Sequence, residues 1–220
     1  MALKRPAMLV ESRARTELVR HGVALWTKGW VANHDGNLSA RVSDDRLVCT
    51  PTATSKRDLD ERHLVVTDTS GAQISGSKKP FGELNIHLAV YRARPDIAAV
   101  VHAHSPYATA LGASGRELAC FLPEAVVSLG ARVPLAPLAA PGPGAVTAIE
   151  PLIAKFDAVL VQANGVWAWG VDVEQAFLRL ELVEHLACIA HHAQSWGGPQ
   201  PLPQDMLERL LEARRKAFGR

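Results

Sequence analysis

Val101-His102-Ala103-His104 sets two histidines two residues apart at the end of a short apolar run, Ile97 to His102. At a strand end, residues i and i+2 point to the same side. Two imidazoles a few ångströms apart can therefore reach one divalent metal ion. The pattern also fits two partly solvated polar residues closing a strand. An apolar run leading into two imidazoles nevertheless asks for a reason, because burying an unpartnered polar group is costly. Glu83 stands upstream, at the start of an expected helix. It reads as a carboxylate beside that metal, as ligand or general base, or as a helix-start carboxylate favoured by the macrodipole. Two polar loops complete the inventory. His34-Asp35-Gly36-Asn37-Leu38-Ser39 tolerates a tight turn, and its backbone N–H groups, the Asn37 amide and the Ser39 hydroxyl also make an anion cradle. Thr50-Pro51-Thr52-Ala53-Thr54-Ser55-Lys56 offers hydroxyls and one cation.

The elements that position these residues follow from hydrophobic spacing. Val10, Ala14, Leu18 and Leu25 share one face of an N-terminal helix that Gly29 stops. Asn37 to Val42 and Arg46 to Thr50, joined by Ser43-Asp44-Asp45, form a β-hairpin. His63 to Thr67 is a third strand, ending in a Ser70-Gly71 turn. Glu83 to Arg94 is a helix stopped by Pro95, the histidine-bearing run is a buried strand, and Pro106 opens another helix. Pro134 to Gly144, rich in Pro and Gly, reads as a loop over a site. A helix over Ala145 to Lys155 precedes strands Ala158 to Gln162 and Val166 to Trp169, with Asn164-Gly165 as the hairpin signal between them. Val173, Ala176, Phe177, Leu180, Val183, Ala187 and Ala190 give one face of a long helix. His185, His191 and His192 on it read as surface or interface side chains. Gln204 to Phe218 is a last helix. This order predicts an α/β fold, a three-layer α/β/α sandwich around a mostly antiparallel central sheet, with residues 1–220 as a single domain.

The chain has 220 residues, 48% of them hydrophobic, and a formal net charge of +2, so it can bury a core and lacks the strong basic excess of a dedicated nucleic-acid binder. No apolar run approaches the roughly 18 residues of a membrane span. The N-terminal stretch Met1 to Arg15 has no apolar h-region. Cys49, Cys120 and Cys188 are odd in number and share no CxxC spacing, which argues against a disulfide framework. A cytoplasmic protein without nucleic-acid or membrane partners is expected.

Read together, the segments resemble the class II aldolase/adducin family, the superfamily of L-fuculose-phosphate aldolase, ribulose-phosphate 4-epimerase and methylthioribulose-phosphate dehydratase. The resemblance runs from Val10 to Phe218. It is carried in order by Gly36-Asn37-Leu38-Ser39, Thr50-Pro51-Thr52, Glu83-Leu84-Asn85-Ile86-His87, Tyr91 to Asp96 leading into Val100 to Ser105, and Val159 to Val166 with Gly170. It implies a divalent metal held by His102, His104 and a third residue from the late hairpin, zinc in first place, with manganese, cobalt or magnesium as alternatives. It implies that Glu83 binds the free metal or serves as acid/base, a phosphate site at Gly36, Asn37, Thr52, Ala53 and Gly82, and a homotetramer with sites at subunit interfaces. The function so implied is retro-aldol cleavage of a small, phosphorylated sugar or hydroxy-ketone through a metal-bound enediolate. Dehydration or decarboxylation on the same scaffold, or a non-catalytic adducin-head-like scaffold, are the alternatives.

Three departures from the family pattern stand out. Asn164 occupies the third-ligand position, where the family carries histidine before glycine. Pro123 and Phe218 stand where the fuculose enzyme has tyrosines, and Phe81-Gly82 replace its pair of serines. Glu124, beside Pro123, is then the candidate second acid/base, or simply a helix-start carboxylate. An oligomer is expected on separate grounds as well. Trp167 and Trp169 alternate on one strand and, unless a helix covers them, form an interface patch. Leu207, Leu210 and Leu211 give the last helix an apolar face with few neighbours left in its own chain.

Overall fold

The structure, a computed structural model, describes residue 6 and residues 8–140 and 142–219. The stretch Met1 to Arg15 read for a leader therefore falls partly outside the described residues. α1 (Glu11–Thr27) precedes a meander of β1 (Asn37–Arg41), β2 (Arg46–Cys49), β3 (Val65–Asp68) and β4 (Gln73–Ser75). α2 (Leu84–Ala93), β5 (Ala99–Ala103), α3 (Pro106–Ala113), β6 (Leu118–Ala119), α4 (Pro123–Leu129), β7 (Arg132–Val133), β8 (Leu135–Ala136) and α5 (Pro143–Ile153) follow. β9 (Ala158–Val161), β10 (Val166–Gly170), α6 (Val173–Ala193) and α7 (Gln204–Phe218) complete the chain.

Eight strands form one sheet in the order β4-β3-β2-β1-β5-β10-β9-β8. Every pairing in it is antiparallel except β8 with β9. The pleat sends alternate residues to opposite faces. Ala99, Val101 and Ala103 of β5 pack with α1, α3, α4 and α6, while Val100 lies with Trp167, Trp169, α2 and α5. The expected three-layer sandwich is thus observed, with one core on each side of the sheet.

The structure also corrects several expectations. Val10 sits at the N-cap of α1 and is 74% exposed, so it leaves the buried face that Ala14 starts. β3 begins at Val65, because Asp60 caps a 3₁₀ turn that ends at His63. Pro134 to Gly144 is more than a loop. It supplies β8, an edge strand bounded by Pro134 and Pro137, and Pro143 opens α5. Both placements suit proline, which lacks an N–H. Trp167 and Trp169 are fully buried within the chain. Leu207, Leu210 and Leu211 pack on the core alongside α4. The α7 face is therefore partly covered in its own chain, by a short helix whose docking no local pattern announced. His185, His191 and His192 are exposed, as expected, and the three cysteines are free.

The two layers are tied at the sheet end distant from the histidines. Asp157, just before β9, is fully buried and accepts from three guanidiniums. Arg94 from α2 lies at 3.0 Å, Arg179 from α6 at 3.2 Å, and Arg214 from α7 is in direct contact. Among the described residues no helix is long and apolar enough to cross a membrane.

Candidate active site

β5 carries His102 into the centre of the sheet, between β1 and β10, in register with Asn37 and Trp167. Its ring stacks on Trp167 with centroids 4.0 Å apart. His102 Nδ1 donates to the Val166 carbonyl at 2.9 Å, which fixes the tautomer and leaves the Nε2 lone pair bare. That Nε2 is buried and has no hydrogen-bond partner; the nearest charge is Glu83 Oε2 at 3.6 Å. His104 follows on the same side, its ring centroid 5.0 Å from that of His102. Its Nε2 lies 3.2 Å from Asn164 Oδ1, and its Nδ1 lies 3.2 Å from Asp35 Oδ2.

The hairpin that delivers Asn164 needs Gly165, which has φ +71°. A Cβ there would stand 2.3 Å from the Ala103 carbonyl oxygen and 2.9 Å from His104 Cδ2. Only glycine lets the hairpin lie this close to the histidine strand.

Glu83, at the N-terminus of α2, is gripped on both oxygens. Asn164 Nδ2 donates to Oε1 and Asn37 Nδ2 to Oε2, each at 2.9 Å. Burial pushes the Glu83 carboxyl up, but the His102 imidazole and these two amides outweigh it and hold the group below its usual range. Burial pushes His102 down to about 4 despite the pull of Glu83, so its imidazole is neutral at pH 7.

Behind Asn37 the donors can be assigned in sequence. A carboxylate only accepts, so Asn37 turns its Nδ2 to Glu83 and its Oδ1 to His87, whose Nε2 must donate across 2.7 Å. His87 Nδ1 then accepts from Ser39 Oγ at 2.6 Å, and Ser39 accepts from the Tyr91 hydroxyl at 2.8 Å. His87 is fully buried, and burial holds it neutral, well below 6.5.

Of the residues expected at the site, the structure brings together Glu83, His102, His104, Asn164 and Asn37. Asn37 commits its Oδ1 to His87 and one Nδ2 hydrogen to Glu83, and its NH2 group carries a second hydrogen. The backbone N–H of Thr52 is also used, donating to Lys79 O at 2.9 Å. The pairing of Pro51 with Pro80 still sets Thr52 and Ala53 beside the segment leading to Gly82, and all three are exposed. Gly36, at φ +67°, lies against the end of β5, where a Cβ would stand 3.0 Å from the His102 carbonyl oxygen. Glu124 is exposed on the first turn of α4, and no hydrogen bond or ion pair among the described residues joins it to Glu83. Sequence reasoning missed Asp35, and also His87, although its spacing of four from Glu83 on one helix was visible. It read Lys56 only as the cation of a polar loop, whereas the side chain is almost wholly buried and its ammonium pushed down to about 8 by that burial, against the pull of Asp35.

A bare buried nitrogen beside an ionised carboxylate, with an amide oxygen facing a second imidazole, is a donor set that fits a divalent cation. A second cluster, Glu17, His21 and Glu174, brings three donor atoms within 4.8 Å of one another. There Arg20 already binds both carboxylates and lies 3.3 Å from His21 Nε2, so a cation is in place.

The chain belongs to the class II aldolase and adducin family: the family profile described as the class II aldolase and adducin N-terminal domain matches residues 16–191. It is an enzyme of the class II aldolase type, a class that depends on a divalent metal. It is 33% identical to a 3-oxo-tetronate 4-phosphate decarboxylase of Pectobacterium atrosepticum, over 80% of this chain and 83% of that protein. It is 32% identical to a 5-deoxy-D-ribulose 1-phosphate aldolase of Bacillus thuringiensis, over 91% of this chain and 94% of that one. Among solved structures, YgbL of Klebsiella pneumoniae, described as an aldolase, epimerase or decarboxylase, superposes with TM-score 0.85 at 30% identity, covering 92% of this chain and 99% of that one. An L-fuculose 1-phosphate aldolase gives TM-score 0.84 at 28% identity, covering 91% and 95%.

Proposed function

We propose that the chain, acting as one such domain, is a metal-dependent lyase that cleaves a small phosphorylated hydroxy-ketone by a retro-aldol reaction in the cytoplasm. The observation that carries this reading is the bare, buried Nε2 of His102 beside the ionised Glu83. In this reading His102, His104 and Asn164 hold the metal, with zinc preferred. When bound, the metal supplies Lewis acidity to neighbouring substrate oxygens. Glu83 takes the hydroxyl proton as the C–C bond breaks and returns a proton to the carbon left electron-rich. His102 and its two amide partners hold it below its usual range, and the amides keep it aimed between those steps. The substrate's anion end lies by Gly36, Asn37, Thr52, Ala53 and Gly82, with backbone N–H groups and small polar side chains supplying the contacts. The chain forms a homotetramer, and Glu124, exposed on α4, is the second acid/base, contributed across a subunit interface.

The similarity to 3-oxo-tetronate 4-phosphate decarboxylases favours a second reading, loss of CO₂ from a phosphorylated 3-oxo acid at the same residues. Incubating the zinc-loaded protein with a ketose 1-phosphate and, separately, with 3-oxo-tetronate 4-phosphate separates the two. Aldehyde release supports the first and CO₂ release the second. A protein that takes up no metal and turns over neither is the adducin-head-like scaffold.

A further inference from the structure

We propose that Asp35 is the outer carboxylate of the metal centre, orienting His104 and strengthening it as a ligand to offset the weaker amide at Asn164. The inference rests on the metal-centre reading above.

Asp35 lies in the loop between α1 and β1. Its Oδ1 accepts from the Ala32 backbone N–H at 2.5 Å, which pins the carboxylate. Its Oδ2 is thereby aimed at His104 Nδ1, 3.2 Å away. A loop held flat against the end of β5 by Gly36 makes this reach short. The carboxylate is 28% exposed and the imidazole 33%, so neither partner is a freely solvated surface group.

An acceptor at Nδ1 decides where the imidazole proton stays. With the proton on the Asp35 side, His104 Nε2 presents a lone pair to the cluster, and that lone pair meets another on Asn164 Oδ1 at 3.2 Å. Either a metal ion between the two or a second proton on the ring relieves that contact, and the metal titration below separates them. His102 is arranged the same way, with the Val166 carbonyl as its Nδ1 acceptor. Each histidine thus has an outer-shell partner of the kind that fixes metal-bound imidazoles. The difference is charge: His102 has a neutral carbonyl, His104 a carboxylate. That charge sits beside the member of the set closest to Asn164, the one ligand position where imidazole has been replaced by an amide. An amide oxygen is the poorer donor to zinc, and a negative charge behind the neighbouring ligand compensates.

The competing role for Asp35 is counter-ion to the buried Lys56, the other cation on which its charge acts. The two roles separate on metal affinity, which needs no substrate. The full-length protein, stripped with a chelator, is titrated with Zn²⁺ against a chromophoric chelator. Asp35→Ala weakens Zn²⁺ binding by about 10- to 100-fold if Asp35 supports His104. Asp35→Asn, which keeps the size and an acceptor oxygen, falls between it and the wild type and serves where the alanine variant is unstable. In a His104→Ala background, Asp35→Ala adds little, because its effect passes through the ring already removed. Adding Asn164→His to Asp35→Ala recovers affinity. Lys56→Met does not reproduce the loss.

Zn²⁺ affinity unchanged within about twofold in both Asp35 variants, against the tenfold or larger loss expected of an outer-shell partner, overturns the proposal and leaves the metal centre standing. A full Asp35→Ala loss persisting without His104 overturns it too, since Asp35 then acts elsewhere. A wild-type protein that binds no Zn²⁺ overturns the metal-centre reading and this proposal with it.

Discussion

Replacing His87 with phenylalanine tests the chain of hydrogen bonds behind Glu83. His87 lies between Phe81, with ring centroids 4.8 Å apart, and Trp167, at 5.4 Å, so a phenyl ring is of suitable size and shape. Ser39 keeps its Tyr91 partner but loses the His87 Nδ1 to which it donates, and Asn37 Oδ1 loses its donor, the His87 Nε2–H. Each buried polar group left unpaired costs about 1–3 kcal/mol, so the two together cost about 2–6 kcal/mol. At about 2–4 °C per kcal/mol for a chain of this size, Tm falls by roughly 4–24 °C at pH 8. The pH dependence then identifies the cause. His87 is held neutral inside the fold, below its unfolded value of 6.5, so below pH 6.5 the unfolded chain binds a proton that the native state refuses. Stability therefore falls with falling pH, by up to about 1.4 kcal/mol per pH unit for this one group. The phenylalanine variant lacks that loss. The gap between the two proteins, wide at pH 8, should close as pH drops below 6.5. Thermal melts by circular dichroism from pH 8 to pH 5 measure it. A gap that stays constant with pH would refute the assignment of His87 as a buried neutral donor.

Two further outcomes are expected. Asp157→Asn leaves Arg94, Arg179 and Arg214 buried without their shared carboxylate, at a cost of about 3–5 kcal/mol; denaturant unfolding with a loss below about 1 kcal/mol would place the stabilisation elsewhere. Gly165→Ala puts a methyl 2.3 Å from the Ala103 carbonyl oxygen at φ +71°, for about 2–5 kcal/mol of backbone strain and overpacking. It should also weaken Zn²⁺ binding by moving Asn164, and unchanged metal affinity would detach the hairpin from the site.

What the sequence made legible follows the strength of its local signals. The face of α6 was plain because seven apolar positions repeat at helical spacing, and all but Ala190 are fully buried. The β9–β10 hairpin was plain because Asn164-Gly165 is backbone chemistry. β4 and β8 were not, since each is short and lies at a sheet edge, where no alternation can build. The covering of α7 by α4, and of Trp167 and Trp169 by α2 and α5, are docking facts between distant segments. The site divides the same way. His102, His104 and Glu83 were legible as residue types at telling places. Asn37 was read as part of an anion cradle, because backbone N–H groups and an amide in such a loop can form one. Its hydrogen bonds to Glu83 and His87 reach residues nearly fifty positions later, beyond any local pattern. Asp35 was passed over because an aspartate before glycine is ordinary turn chemistry.

The two ends of the sheet solve opposite electrostatic problems. At the far end, Asp157 offers one carboxylate to three guanidiniums, and Asp96 gives Arg94 a second. Charge there is consumed in joining α2, α6 and α7 to the sheet. At the near end the donors of Tyr91, Ser39, His87 and Asn37 all point towards Glu83, and Asn164 holds its second oxygen. That arrangement fixes a negative charge in place without neutralising it, because every partner is a neutral dipole. A lysine or arginine against Glu83 would bind it more strongly and would leave nothing for a metal or a substrate proton to answer. Neutral amides keep the carboxylate ionised, oriented and unspent, 3.6 Å from a bare imidazole nitrogen. The cost is a buried chain in which each member sets the orientation of the next. Loss of any one link is therefore felt at Glu83, although only Asn37 and Asn164 touch it.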